Sequence, residues 1–235
     1  MSMTGDGGAF PPTRWWWIRH APVPDGGRIY GQGDLDCDCS DTLIFDVLAR
    51  ELPSDAVWVT SNLVRTKQTA AAIIASAPAK FTDIAPKEYP SLAEQHLGDW
   101  QGLDRKTFYA ERGVGTHSLW FAPAAERAPG GESFADLMDR VTPTVRALTE
   151  EHRGRDIVAV THGGTIRAAV ALALGLGAEE ALSFSMENCS LTRLDHLRPQ
   201  TGPGVWRVVC VNHRPWTRAP HHAQSTNAPG GIDRA

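Results

Sequence analysis

Apolar positions along the chain follow two alternating periods. Short apolar runs, typical of strands, occupy residues 14–19, 56–60, 156–161, 191–197 and 205–212. Stretches with apolar residues at helical spacing predict helices over residues 42–52, 62–77, 134–152 and 165–174. Strands that alternate with helices favour a mostly parallel sheet covered on both faces. The pattern therefore predicts an α/β fold, a three-layer α/β/α sandwich.

Two local patterns make more specific predictions. Ser133 and Asp136 form a capping pair at the start of the 134–152 helix, and Pro143 should kink this helix without dividing it. In the first strand, alternation places Trp15 and Trp17 on one face and Trp16 on the other. A strand with large apolar residues on both faces suits the centre of a covered sheet.

The order of these elements indicates a single domain over residues 14–212. Residues 1–13 and 214–235 are rich in Gly and Pro, and we expect them to be loosely ordered tails. Residues 81–132 are less regular and could cover a site. The oligomeric state is left open by the sequence.

Composition excludes several classes of protein. The 235 residues are 42% apolar and 21% charged with a net charge of −4, which argues against a general nucleic-acid binder. No apolar run reaches the roughly 18–20 residues that a membrane span needs. The N-terminus lacks the pattern of a signal peptide, and the four cysteines form no CxxC pair. We therefore expect a cytoplasmic protein without a membrane partner.

Cationic and imidazole side chains follow three predicted strands. Arg19 and His20 follow the first strand, and His162 follows the strand over 156–161. Arg65 lies in the first turn of the helix that follows the second strand. Because the carboxyl ends of parallel strands meet at one edge, these side chains should converge. Arginine donor forks and helix N-termini both suit phosphate oxygens. The residues alone thus predict an anion site, most simply one for phosphate.

Five segments in order resemble the histidine phosphatase superfamily, also called the phosphoglycerate mutase-like family. They are Arg19-His20-Ala21, residues 61–70, residues 92–102, Gly130-Gly131-Glu132-Ser133, and Val160-Thr161-His162-Gly163-Gly164. The resemblance covers roughly residues 14–212 and implies that family's fold. The stretch after His20, with Ile29-Tyr30-Gly31-Gln32, is similar to phosphatases of the cobalamin pathway and related small-molecule phosphatases.

The resemblance implies a role for each of five residues. His20 would be the nucleophile that forms a phosphohistidine, and Glu94 the acid that protonates the leaving oxygen and then activates water. Arg19, Arg65 and His162 would hold the phosphoryl oxygens. Glu88 and Glu132 compete with Glu94 on sequence grounds.

The motifs also depart from the family pattern. Ala21 stands where the family usually has Gly, and the family's phosphate-binding Asn after the first motif has no clear match. The fine contacts to phosphate are therefore open. Cys37 and Cys39 lie near acidic residues, but two soft ligands do not make a metal site, so we expect no metal and no cofactor.

The implied activity is a metal-independent phosphomonoesterase that acts on a small phosphorylated metabolite. One alternative is a phosphoglycerate mutase, which returns the phosphoryl group to its substrate. Another is a module that binds phosphate or a partner without catalysis. Specificity should come from residues 103–132, where Tyr109, His117, Trp120, Phe121 and Arg127 either line a pocket or pack.

Overall fold

The computed structural model describes residues 11–113 and 117–217. Most of both expected tails, residues 1–10 and 218–235, therefore lies outside the described residues. The first strand begins at Thr13, whose side chain is buried. Ordered structure thus starts one residue earlier than the sequence pattern indicated.

Six strands form one sheet with the order β3-β2-β4-β1-β5-β6. The pairings β2 with β3, β2 with β4, and β1 with β4 are parallel, whereas β5 and β6 add antiparallel strands at one side. The sheet is therefore mostly parallel, as predicted. The strands are β1 Thr13–Arg19, β2 Ala56–Thr60, β3 Lys87–Glu88, β4 Asp156–Thr161, β5 Leu191–Leu197 and β6 Val205–His213.

Helices cover both faces of the sheet and complete the predicted three-layer sandwich. One core cluster joins α1 and α2 to one face, and a second joins α4, α5 and α6 to the other. The helices are α1 Thr42–Glu51, α2 Val64–Ser76, α3 Arg105–Arg112, α4 Phe134–Glu151, α5 Gly163–Leu174 and α6 Ala178–Ala181. The four helices predicted from the sequence agree with α1, α2, α4 and α5 to within two residues at each end.

The tryptophans of β1 divide between the two faces as their alternation predicts. Trp15 and Trp17 are buried and stack with 4.5 Å between ring centroids. Trp16 packs on the opposite face and donates from Nε1 to Asp156 at 2.9 Å. Trp15 Nε1 donates to Thr149 Oγ1 on α4 at 3.0 Å, which ties the strand to the helix that covers it.

Helix α4 begins with the predicted cap and continues through its proline. Ser133 Oγ accepts from the backbone N–H of Asp136, and the Asp136 carboxylate accepts from the backbone N–H of Ser133. Pro143 lies within one uninterrupted helix, so the helix is not divided there. The capping box fixes the start of α4 immediately after the predicted irregular region of residues 81–132.

Residues 81–132 form an excursion: after the edge strand β3 the chain leaves the sandwich, and it returns to the sandwich at α4. This excursion contains β3, two short 3-10 helices at Pro90–Leu92 and Gly98–Trp100, and α3. Trp100 and Phe108 pack with Ile29 and Leu97 in a separate apolar cluster. The excursion thus has its own small core, which lies against the loop that follows β1. Within the described part of the chain, no helix is long and apolar enough to span a bilayer.

Candidate active site

The strand order brings the predicted site residues to one edge of the sheet. β4 lies between β1 and β2, and Arg19 at the end of β1 is level with Thr161 at the end of β4. His20 and His162 follow these two ends directly, and their ring centroids are 5.3 Å apart. Arg65, in the first turn of α2, is fully buried and lies close enough to act electrostatically on both histidines.

His20 is held in one tautomer by the backbone. Its Nδ1 lies 2.7 Å from Ala21 O, and because a carbonyl only accepts, Nδ1 carries the proton. Nε2 is buried and has no hydrogen-bond partner among the described residues. The peptide around the ring is fixed by Thr69 Oγ1, which accepts from Ala21 N at 2.8 Å. His20 therefore presents a free lone pair at Nε2.

His162 also uses one ring nitrogen in a hydrogen bond and leaves the other without a partner among the described residues. Its Nε2 lies 2.7 Å from Ser61 Oγ. Its Nδ1 is buried and unpartnered within the described chain. The two neighbouring histidines thus each have one buried ring nitrogen without a partner among the described residues.

Burial and nearby guanidinium groups keep both rings neutral. Burial lowers the pKa of His20 well below its usual 6.5, and the charges of Arg19 and Arg65 lower it further. Burial likewise lowers the pKa of His162, followed by the charge of Arg65. A neutral imidazole at His20 keeps its lone pair at pH 7.

The two arginines are anchored by carbonyl groups and leave donors free. Arg65 donates from Nη1 to Gly33 O at 2.8 Å and from Nη2 to Gly31 O at 2.7 Å. Arg19 donates from Nη1 to Met186 O at 2.5 Å. The Nε atoms of both arginines are buried and have no partner among the described residues. These N–H groups are available to an anion.

Glu94 reaches the site from the excursion. Its Oε1 accepts from the backbone N–H of Gly164 at 3.1 Å and from that of Gln95 at 3.0 Å. Gly164 belongs to the first turn of α5, where the helix dipole favours a negative group. The carboxylate therefore lies beside His162, which immediately precedes α5.

The two competing glutamates lie elsewhere. Glu132 accepts from Arg140 Nη2 at 2.6 Å and from His96 N at 2.9 Å, so its carboxylate is used in holding the excursion. Glu88 is exposed and pairs with Lys67 at 3.3 Å. Of the three glutamates, Glu94 is the one that lines the cavity next to Arg19.

A cavity of about 380 Å³ opens beside Arg19 and Glu94. The sequence left open whether five residues of the excursion line a pocket or pack in a core. Three of them, Tyr109, Trp120 and Phe121, line the cavity. His117 instead contacts Glu179, and Arg127 contacts Asp136. The ring-bearing residues along the cavity are Tyr30, Tyr109, Trp120 and Phe121.

Three residues of the site have no signal in the sequence motifs. Asn188 lines the cavity and donates from Nδ2 to His20 O at 2.8 Å, although it lies 168 residues further along the chain. Arg140 on α4 donates to the carbonyl groups of residues 91, 93 and 94. Arg167 on α5 is largely buried, with its guanidinium 4.6 Å from the ring centroid of Trp120. Only their positions in the fold connect them with the site.

The chemistry that this arrangement permits is anion binding next to a nucleophile. Four buried nitrogen atoms of these residues have no hydrogen-bond partner among the described residues: His20 Nε2, His162 Nδ1, Arg19 Nε and Arg65 Nε. Arginine donors match the oxygens of a phosphoryl group. Within the described residues, no group of three or more His, Cys, Asp or Glu side chains is arranged to hold a metal ion.

Comparison with known proteins gives matches over nearly the whole described chain. The family model described as Histidine phosphatase superfamily (branch 1) matches residues 16–213. A glucosyl-3-phosphoglycerate phosphatase of Mycolicibacterium vanbaalenii is 31% identical over 215 residues, which cover 83% of this chain and 92% of that protein. A metal-independent phosphoserine phosphatase of Arabidopsis thaliana is 36% identical over 163 residues, 64% of each chain.

A solved structure also has the same fold. The native structure of a mycobacterial glucosyl-3-phosphoglycerate phosphatase superposes with a TM-score of 0.71 at 28% identity. The superposition covers 86% of this chain and 99% of that chain.

Proposed function

Because this chain belongs to branch 1 of the histidine phosphatase superfamily, we propose that it hydrolyses the phosphate monoester of a small metabolite through a phosphohistidine at His20. The observation that carries the proposal is that four buried nitrogens of these neighbouring residues have no partner among the described residues. His20 Nε2 would supply the attacking lone pair, and His162 Nδ1, Arg19 Nε and Arg65 Nε would bind the phosphoryl oxygens. An attack on phosphorus needs such a nucleophile beside groups that neutralise the charge on these oxygens.

In the first step, His20 Nε2 attacks phosphorus and the bond from phosphorus to the leaving oxygen breaks. The hydrogen bond from Nδ1–H to Ala21 O stabilises the positive charge that develops on the ring. Arg19 and Arg65 neutralise charge on the phosphoryl oxygens. The Glu94 carboxyl group gives its proton to the leaving oxygen, so an alcohol departs.

In the second step, water attacks the phosphohistidine. The Glu94 carboxylate takes a proton from this water, and the N–P bond breaks. His20 returns to its neutral form, and inorganic phosphate leaves. Glu94 thereby regains the proton that it gave to the alcohol, which closes the cycle without any further reactant.

The alcohol part of the substrate would occupy the cavity next to Arg19. Rings from Tyr30, Tyr109 and Trp120 line this space. Arg105, which also lines it, pairs with Asp25 at 2.8 Å. The printed names of the relatives include phosphatases of sugar-linked and amino-acid phosphates. These features support a small phosphorylated metabolite as the substrate class, without selecting one compound.

The first test is hydrolysis of para-nitrophenyl phosphate in excess EDTA. We expect the intact protein to be active and His20→Ala to be inactive. His152→Ala is the matched control, because His152 is the C-cap of α4, at the other end of this helix from the excursion. Quenching with alkaline detergent after addition of ³²P-labelled substrate should trap label on His20, and that label should be lost when the sample is then acidified.

Four outcomes would contradict the proposal. Full activity of His20→Ala would exclude His20 as the nucleophile. Loss of activity in EDTA that returns with a divalent metal would exclude metal independence. Transfer of phosphoryl groups between phosphoglycerates at a rate comparable to hydrolysis would favour the mutase, and phosphate binding with no turnover of any ester would favour a binding module.

A further inference from the structure

We propose that Ser61 is a positioning residue that fixes the tautomer of His162, so that Nδ1–H donates to the bound phosphoryl group. The proposal rests on the proposed function, because it assumes that a phosphoryl group occupies the volume between the histidines. Ser61 is fully buried between the end of β2 and the start of α2. It would act through His162 and not by touching the substrate.

The hydrogen bonds around Ser61 leave its proton to His162. Ser61 Oγ accepts from the backbone N–H of Leu63 at 3.1 Å, which uses one lone pair. The same oxygen lies 2.7 Å from His162 Nε2 and 3.2 Å from Thr66 Oγ1. A serine hydroxyl has one proton, and the shorter of the two contacts is the one to the imidazole.

The ligand decides the direction of this hydrogen bond. Phosphoryl oxygens are acceptors, so the unpartnered Nδ1 of His162 must carry a proton to bind one. A neutral imidazole has a single N–H, and the ring is buried next to Arg65, which opposes a second proton. Nε2 must then accept, and Ser61 Oγ is the hydroxyl within reach.

In this arrangement both histidines are the Nδ1–H tautomer, but they use different nitrogens in the site. At His20 the Ala21 carbonyl accepts the hydrogen bond from Nδ1–H and leaves a lone pair at Nε2. At His162 the serine donates to Nε2 and leaves a proton at Nδ1. One ring is thereby set to attack phosphorus and the other to stabilise charge on its oxygens.

The variants to compare are Ser61→Ala, Ser61→Thr and the control Thr60→Val. Thr60 is the buried neighbour of Ser61, and its hydroxyl has no partner among the described residues. We expect Ser61→Ala to lose about 10- to 100-fold in kcat, whereas Ser61→Thr, which keeps a hydroxyl, retains most of it. Thr60→Val should match the unmodified protein.

Two readouts distinguish positioning from a merely structural role. The pH optimum of Ser61→Ala should shift to lower pH, because a protonated His162 can donate from Nδ1 without help from Ser61. A structural defect would instead lower the rate at every pH. In ¹⁵N NMR spectra of the intact protein with bound orthovanadate, His162 should be the Nδ1–H tautomer.

The NMR measurement does not depend on a folded variant or on turnover. An Nε2–H tautomer with vanadate bound would overturn the proposal, as would a Ser61→Ala variant whose rate and pH profile equal those of Thr60→Val. Failure of the proposed function itself would show separately, as hydrolysis that survives His20→Ala.

Discussion

The backbone N–H of Gly164 donates to Glu94 Oε1 at 3.1 Å, so the first turn of α5 holds a carboxylate that arrives from the excursion. A Cβ atom at residue 164 would overlap this oxygen and also meet Leu137 Cδ1 at 3.1 Å. An alanine here would therefore have to displace the Glu94 carboxyl group, which is the end of a flexible side chain. The position of the proposed acid depends on the absence of one methyl group.

We predict that Gly164→Ala lowers kcat by about 100-fold while the protein remains folded. The methyl group would displace the Glu94 carboxylate, and a positioned acid contributes about 10²–10⁴ in rate. Steady-state hydrolysis of para-nitrophenyl phosphate measures the effect.

The matched control is the same change in a Glu94→Gln background. If Gly164→Ala acts through Glu94, it should add little to the loss that Glu94→Gln already causes. Independent, multiplying losses would show instead that the alanine damages the site by another route.

Arg140 holds the backbone of the segment that carries Glu94. Its guanidinium donates to three carbonyl groups of the segment 91–94 and pairs with Glu132 at 2.6 Å. We predict that Arg140→Lys lowers kcat by about 10- to 100-fold, because an ammonium group cannot hold all of these acceptors and a small displacement of a catalytic group is costly.

The control for Arg140 is Arg146→Lys on the same helix. Arg146 is exposed, so its substitution should leave kcat unchanged. Equal rates for Arg140→Lys and Arg146→Lys would show that the segment holds Glu94 in place without the guanidinium.

The two buried histidines predict how stability depends on pH. Burial lowers the pKa of His20 and of His162 in the folded state, so below pH 6.5 the unfolded chain binds more protons than the folded one. Their contribution is complete above pH 6.5 and is lost as the pH falls below it. We expect the free energy of unfolding to decrease by about 1.4 kcal/mol per pH unit for each histidine.

Urea unfolding between pH 7.5 and 5 measures this slope. The double variant His20→Asn, His162→Asn should lose most of it, even where it is less stable overall. An unchanged slope in the double variant would mean that other groups titrate in this window. The same pKa shifts predict that hydrolysis keeps its rate from pH 7.5 to 6.5, because His20 stays neutral there.

The hydrogen bond from Trp15 to α4 gives a prediction about stability alone. Thr149→Val keeps the shape of the side chain but leaves Trp15 Nε1 buried without an acceptor. We expect it to cost about 1–3 kcal/mol of unfolding free energy, measured by chemical denaturation. Thr60→Val removes a buried hydroxyl that has no partner among the described residues, so it should cost much less. Equal costs would mean that Trp15 Nε1 finds another partner.

Periodicity was sufficient to predict the sandwich because each main element buries one continuous apolar face. The five strands and four helices read from the pattern all exist, and the strand ends bring Arg19, His20 and His162 together. The sequence could not predict α3 or the short 3-10 helices in the same way. The apolar residues of α3 and of the 3-10 helix at Gly98–Trp100 pack into a small separate cluster with Ile29 and Leu97, which no local period reveals.

The residues that support the site, Asn188 and Arg140, could not be predicted from the sequence for a related reason. Asn188 and Arg140 reach the site through the topology, across 168 residues to His20 and 46 residues to Glu94. Nothing in the sequence near either residue distinguishes it from an ordinary surface Asn or Arg. The residues that the motifs identify are those next to strand ends, where the position of a side chain follows from the sheet itself.

The strand order has a consequence for how the chain is made. β1 lies in the middle of the sheet, yet both of its neighbours, β4 and β5, come from the last third of the sequence. Trp16 and its partner Asp156 are separated by 140 residues. At ribosomal rates of about 5–20 residues per second, this separation corresponds to roughly 7 to 28 seconds of synthesis during which the tryptophan-rich strand lacks its native partners. The centre of the sheet therefore cannot form until most of the chain has been made.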